Sequence, residues 1–243
     1  MMSMLTDFHS HILPQVDDGS SSIEESLALL RMEAEQGIER VVATPHFYAN
    51  YDNPERFLKR RNESAMRLAE KLEKQGNFPQ LSLGAEVYFF PGMSNSKVLR
   101  ELTVDGSKYI MVEMPRSPWT KAMYRELEDI YVKQGLVPII AHVDRYIRPL
   151  QTYSIPENLS KLPVLVQANA SFFLGFYTKH MALRLLKENK IHLLGSDCHN
   201  ILDRKPNLGE AISYIKDNSS VKLLNKIKFY EHKVLTDDIF LLE

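Results

Sequence analysis

The chain has 243 residues, 44% of them hydrophobic and 25% charged, with a formal net charge of −1 and one cysteine. That length suits one α/β barrel, long enough to bury a core. The charge balance gives no reason to expect a nucleic-acid partner, a lone cysteine excludes an internal disulfide, and no apolar run is long enough to span a bilayer. The expectation is a cytoplasmic protein made of one domain over residues 1–243, with no leader segment and no membrane insertion.

Short runs rich in Val, Ile, Leu and Tyr alternate with longer segments of helical spacing. The first strand is expected at 4–9. A helix follows from Ser22, where Glu25 completes a capping-box spacing, and stops at Gly37. A strand at 40–46 precedes a long helix that opens on Asn53-Pro54 and ends at Gly76. Strands at 81–86 and 108–115 come next, then a helix that ends at Gly135. Strands at 136–142, 163–170 and 192–199 complete the set, with helices over 178–190 and 207–218. Nearly continuous apolar strands alternating with helices predict a parallel sheet covered on both faces. The run "SFFLGFY" at 171–177 fits core, cleft rim or subunit contact equally, and the oligomeric state stays open.

The strand ends carry the chemistry. The first ends in His9-Ser10-His11, the second in Thr44-Pro45-His46, the third in Glu86, the fourth in Glu113, the fifth in His142 and the last in Asp197-Cys198-His199. In a parallel barrel these ends meet at one face, where such enzymes build their sites. Side chains two apart on a strand share a side, so His9 with His11, and Asp197 with His199, can aim at one centre. Imidazoles mixed with carboxylates suit manganese, iron, cobalt or zinc. More donors converge than one ion uses, which implies two or three ions and an in-line displacement at phosphorus. His180, His192 and His232 lie away from these ends and read as ordinary surface or core residues.

The motifs "DFHSHILPQVDDG", "VVATPH", "GAEVY", "YIMVEMP", "PIIAHVDRY", "VQANASFF" and "LGSDCHN" occur in that order. In this the chain resembles the PHP (polymerase and histidinol phosphatase) superfamily. Within it, the chain is similar to the Gram-positive-type tyrosine phosphatases of capsule and exopolysaccharide operons. The resemblance covers about residues 5 to 210. It implies a distorted TIM-like (β/α)7 barrel and three divalent ions, usually manganese. The implied ligands are His9, His11, Asp18, His46, Glu86, Glu113, His142, Asp197 and His199. Asp18 is named by its place before Gly19, with the adjacent Asp17 open as the alternative ligand, and Glu113 would bridge ions. Arg145 and Arg204 match the family's phosphate-binding arginines, and Asp17 or His46 is the candidate acid for the leaving phenolate. The implied substrate is a tyrosine-phosphorylated protein, in particular the tail of a bacterial tyrosine kinase. Where the family commonly has Pro-Glu, this chain has Val143-Asp144. Its loop after His46 carries Phe47, Tyr48 and Tyr51, which could stack on a phenolic ring or cover the barrel top.

Three other readings stay open. The same site could hydrolyse a small ester such as histidinol phosphate, or bind metal without catalysis. Alternatively, Cys198 and Arg204 have the spacing of cysteine-dependent phosphatases. Against that last reading, "HNILD" between them has no Gly, and Asp197 and Asp203 disfavour a thiolate; Cys198 reads as a packing residue.

Overall fold

A computed structural model describes residues 5–147 and 154–237. Met4, at the start of the first expected strand, lies outside them. The strands are β1 Thr6–Ser10, β2 Arg40–Ala43, β3 His46–Phe47, β4 Gln80–Leu83, β5 Glu86–Tyr88, β6 Tyr109–Glu113, β7 Val137–Ile140, β8 Leu165–Asn169 and β9 Leu193–Gly195. The helices are α1 Ile23–Glu35, α2 Pro54–Gln75, α3 Lys121–Gln134, α4 Ser154–Leu159, α5 Ala170–Leu174, α6 Lys179–Lys187, α7 Leu208–Asn218 and α8 Val221–Leu235.

All strand pairs are parallel, in two ladders ordered β1-β2-β4 and β3-β5-β6-β7-β8-β9. The sheet curls so that its sequence ends meet. Asp197 N–H donates to the His9 carbonyl and His11 N–H to the Cys198 carbonyl, each at 2.8 Å. The expected strands at 40–46 and 81–86 each split in two. Pro45 has no N–H to give a ladder. Its carbonyl instead accepts the Glu86 N–H at 3.0 Å, and the chain resumes in the second ladder.

Both sheet faces are buried, which explains the apolar continuity of the strands. On β6, Ile110 and Val112 pack into the larger core with the helices. Tyr109 and Met111, on the face that carries Glu113, join Phe8, Val42, Ile139, Leu165 and Leu193 in a second core, which Tyr230 and Val234 of α8 complete. The N-cap signals read from the sequence are realised, but the Glu25 carboxylate accepts the Ser21 N–H at 2.8 Å instead of closing the expected capping box. Ser22 Oγ accepts the Glu25 N–H at 3.1 Å, and Asn53 Oδ1 accepts the Arg56 N–H at 3.0 Å. Three helices were not anticipated, α4, α5 and α8. Phe172 and Phe173 of the 171–177 run are core, whereas Phe176 and Tyr177 are exposed. Among the described residues no helix is long and apolar enough to cross a membrane.

Candidate metal centre

The first strand delivers two histidines through a local irregularity. Phe8 lies in the inner core, and strict alternation would turn His9 away from it. The β1–β2 register shifts between Asp7 and Ser10, and His9 turns in beside His11. The two Nε2 atoms stand 3.2 Å apart. Two glycines make room for them. A Cβ on Gly195 would stand 2.5 Å from His9 Cβ, and one on Gly19 would stand 2.1 Å from the His11 carbonyl oxygen.

Around this pair the strand ends converge. Glu86 Oε2 lies 3.1 Å from His9 Nε2, 3.3 Å from His11 Nε2 and 3.0 Å from His46 Nδ1. Its other oxygen meets His142 Nε2 at 2.7 Å. Glu113 faces His142 at 3.5 Å and His46 at 3.8 Å. Asp197 Oδ1 lies 3.6 Å from His9 and 3.5 Å from His11. Asp18 Oδ1, on an exposed residue, stands 3.6 Å from His46 Nε2 and 3.5 Å from His199 Nε2. His142 and Asp197 hold left-handed backbone at φ 32° and 56°. Non-glycine residues rarely take that conformation, and it tends to persist where function requires a particular aim.

The donor set fits divalent ions. The atoms group as His9, His11 and Glu86; as His46, Glu86 and Glu113; and as His11, Asp18, His46 and His199. Each group mixes imidazole nitrogen with carboxylate oxygen, the borderline-to-hard chemistry of manganese, iron or zinc. Glu86 Oε2 and His199 Nε2 are buried and lack hydrogen-bond partners, which a native fold rarely tolerates without another ligand. Burial alone would push the Glu86 carboxyl up, but the imidazoles of His9, His11, His142 and His46 hold it well below the usual range. His142 is pushed up to about 9, because Glu113 and Glu86 outweigh its burial. His199, by contrast, is pushed down to about 4 by its burial and by the charges of His11 and Arg204.

Both arginines reach this centre. Arg145 binds Asp197 Oδ2 through Nη2 and sits 3.0 Å from His142 Nε2 through Nη1. Arg204 Nη2 donates to Asp197 Oδ1 at 2.8 Å. Asp17, one of the two candidate acids, lies against His11. It accepts the His11 Nδ1 proton at 2.7 Å, the His46 N–H at 2.9 Å and the Gly19 N–H at 3.0 Å. Burial opposes its ionisation, yet His11 and these N–H groups hold it far below the usual carboxylate range. A carboxylate so placed can orient the ring of a ligand histidine.

Two contributors were missed. Gln167 Oε1 accepts the His142 N–H at 2.6 Å and stands 3.2 Å from His9 Nδ1, while Asn169 Nδ2 donates to Asp197 Oδ2 at 3.0 Å. Gln-x-Asn at the end of β8 has the same two-residue spacing as His-x-His, and that was the available signal. Asp144, at the departure from the family pattern, accepts the Asn169 N–H at 2.9 Å. Phe47 is core and packs on Phe57, Tyr51 is 90% exposed, and Tyr48 stands beside His46. His180 and His232 are exposed, and His192 Nδ1 accepts the Val166 N–H at 3.0 Å, all outside the centre. Cys198 is fully buried. Burial, then Glu33 and Asp7, push its thiol well up, the opposite of an activated thiolate.

The family model for capsular polysaccharide synthesis, CpsB/CapC, matches residues 5–236. The chain belongs to the CpsB/CapC family. Tyrosine-protein phosphatase CpsB of Streptococcus agalactiae is 28% identical over 221 residues, covering 87% of this chain and 89% of that protein. Tyrosine-protein phosphatase YwqE of Bacillus subtilis is 28% identical over 213 residues, covering 86% and 82%. A solved structure matches with a TM-score of 0.84 and 26% identity, covering 97% of this chain and 96% of the other. It comes from work on YwqE and the Streptococcus pneumoniae CpsB, described there as unique metal-dependent tyrosine phosphatases. The CpsB/CapC chain described here thus shares its fold with a metal-dependent relative over nearly its full length.

Proposed function

We propose that this protein is a metal-dependent protein-tyrosine phosphatase that removes phosphate from a tyrosine-phosphorylated protein, in particular the tail of a bacterial tyrosine kinase governing capsule or exopolysaccharide synthesis. One observation carries the reading. Glu86 Oε2 is buried, faces three imidazole nitrogens within 3.3 Å and has no hydrogen-bond partner, in a chain of the CpsB/CapC family. The frame we assign is one unit over residues 1–243, a distorted (β/α)7 barrel in which β2 with β3, and β4 with β5, each count as one broken strand.

We assign His9, His11, Asp18, His46, Glu86, Glu113, His142, Asp197 and His199 as ligands of three divalent ions, most simply manganese. Bound there, such ions acidify water and neutralise the negative charge of a phosphate ester. The chain's own groups do the rest. Arg145 and Arg204 offer guanidinium forks to the outer phosphate oxygens and to the charge that grows on them. Asp17 fixes the ring of His11, and Gln167 and Asn169 hold His142, His9 and Asp197 in place. Fixed donors of this kind cost no reorganisation when charge develops.

The test is substrate choice by the Mn²⁺-loaded protein. Turnover of a phosphotyrosine peptide should exceed that of histidinol phosphate in kcat/KM. The reverse order would replace this reading with that of a small-ester phosphatase.

A further inference from the structure

β3 and β5 are neighbours, with His46 opposite Glu86 and Phe47 opposite Val87. One step further along that register, Tyr48 stands opposite Tyr88. Alternation sends Phe47 and Val87 to the core, where both are fully buried. It sends Tyr48 and Tyr88 to the side of His46 and Glu86, two residues or about 6.5 Å further toward the open end of the strands. Tyr88 is also the register partner of Glu113.

The two rings form a partly exposed pair over the metal centre. Their centroids lie 5.6 Å apart, and Tyr48 lies 5.3 Å from the His46 ring. Tyr124, Tyr131 and Tyr214 are also partly exposed, but they pack on the hydrophobic cores; Tyr48 and Tyr88 are not among the side chains that do. Among the described residues, then, these two rings lean on each other and on a candidate ligand. Two aromatic faces held at the mouth of a phosphate-handling site have an apolar partner to gain from the substrate.

The geometry points to Tyr48 and Tyr88 as the wall against which the organic part of the substrate lies, so that the site selects aryl over alkyl phosphate esters. The inference rests on the phosphatase reading above. With the phosphoryl group at the level of His46 and Glu86, the ester's ring reaches the level of the two tyrosines and Glu113. An aromatic ring gains there through offset or edge contacts that a short alkyl group cannot make. Tyr48 acts through its ring face, and its hydroxyl is dispensable.

The test is calorimetric binding of phenylphosphonate and methylphosphonate to the Mn²⁺-loaded protein. Neither compound has an ester bond to break, so leaving-group reactivity plays no part. The wild type should bind phenylphosphonate about tenfold more tightly, the size of one good aromatic contact. The Tyr48→Leu/Tyr88→Leu variant should lose that preference while binding methylphosphonate unchanged, which also reports an intact fold. Tyr48→Phe should keep it. Full phenyl preference in the double Leu variant would overturn the wall and leave the phosphatase reading standing. Loss of the preference in Tyr48→Phe would overturn the ring-face role in favour of the hydroxyl. If the metal-loaded wild type bound neither phosphonate, the phosphatase reading would fail and take this inference with it.

Discussion

Two sets of buried carboxylates share this fold, and they are held in opposite states. Glu86 and Asp197 sit among imidazoles and guanidinium groups. Burial would raise both, but His9 and its neighbours hold them well below the usual range. Asp7, Glu33 and Glu231 lie where α1 and α8 pack on β1. There burial is the leading influence, and it pushes all three up, Glu231 to about 8. Asp7, Glu33 and Cys198 even come close enough together to look like a ligand group. The difference is the company. Around Glu86 the imidazoles of His9, His11, His142 and His46 outweigh burial and favour the ionised form. Around Glu33 the nearest charge is Asp7, so the pair relieves itself with a proton. Proximity of acids alone does not make a metal centre; imidazole donors and strand ends that open to the substrate do.

The comparison predicts very unequal costs. Glu86→Gln removes the carboxylate that ties four imidazoles together. It should lower kcat/KM on a phosphotyrosine peptide by roughly 1,000-fold or more, about 4 kcal/mol of transition-state stabilisation. Metal content measured on the same sample should fall with it. Arg204→Ala should leave metal content unchanged and reduce kcat by about 10- to 100-fold, because one charge-assisted contact to phosphate is lost. Asp17→Asn should weaken Mn²⁺ binding in a metal titration by about 10- to 100-fold, the usual cost of removing the carboxylate behind a ligand histidine. An unchanged affinity would mean that His11 needs no such support.

Glu33→Gln, in the contrasting set, should leave kcat/KM within about twofold, since only the packing around a protonated acid changes. Activity as low as that of Glu86→Gln would erase the distinction between the two sets.

The smallest effect concerns pH. Glu231 has a folded value of about 8, against an ordinary 4.5 when the chain is unfolded. Its carboxyl therefore favours the folded state most below the unfolded value, and that contribution is lost as pH rises through about 8. Urea unfolding at pH 6 and pH 9 should show the wild type losing stability between them. Glu231→Gln should flatten that loss by about 2 to 3 kcal/mol. Identical slopes would mean that the group is ionised in both states.

The candidate ligands other than Asp18 were legible because each sits at or just past a strand end, and a parallel sheet gathers its strand ends on one side; Asp18, in the loop after β1, came only from the resemblance. The helix boundaries were legible where a side chain caps them, as at Ser22 and Asn53. The breaks within the expected strands 40–46 and 81–86 were hidden, since Pro45 and Gly84 disturb the pattern without saying where the chain resumes pairing. α8 was missed although Leu223, Ile227, Tyr230 and Val234 recur at helical spacing and are all buried. No strand precedes it, so the strand–helix alternation gave no cue. Gln167 and Asn169 escaped because amides do not announce metal chemistry. Their role appears only when β8 is set beside β7 and β9. Asp17 and Asp18, adjacent carboxylates, were separated only by where the turn before Gly19 sends each one.

The most direct measurement is phosphate release from a tyrosine-phosphorylated peptide by the purified protein, after thorough chelation and again after Mn²⁺ is returned. Activity that disappears on chelation and comes back with the ion is the predicted result. Turnover that survives complete removal of metal would contradict the account, because the buried His and carboxylate cluster would then have no part in the reaction.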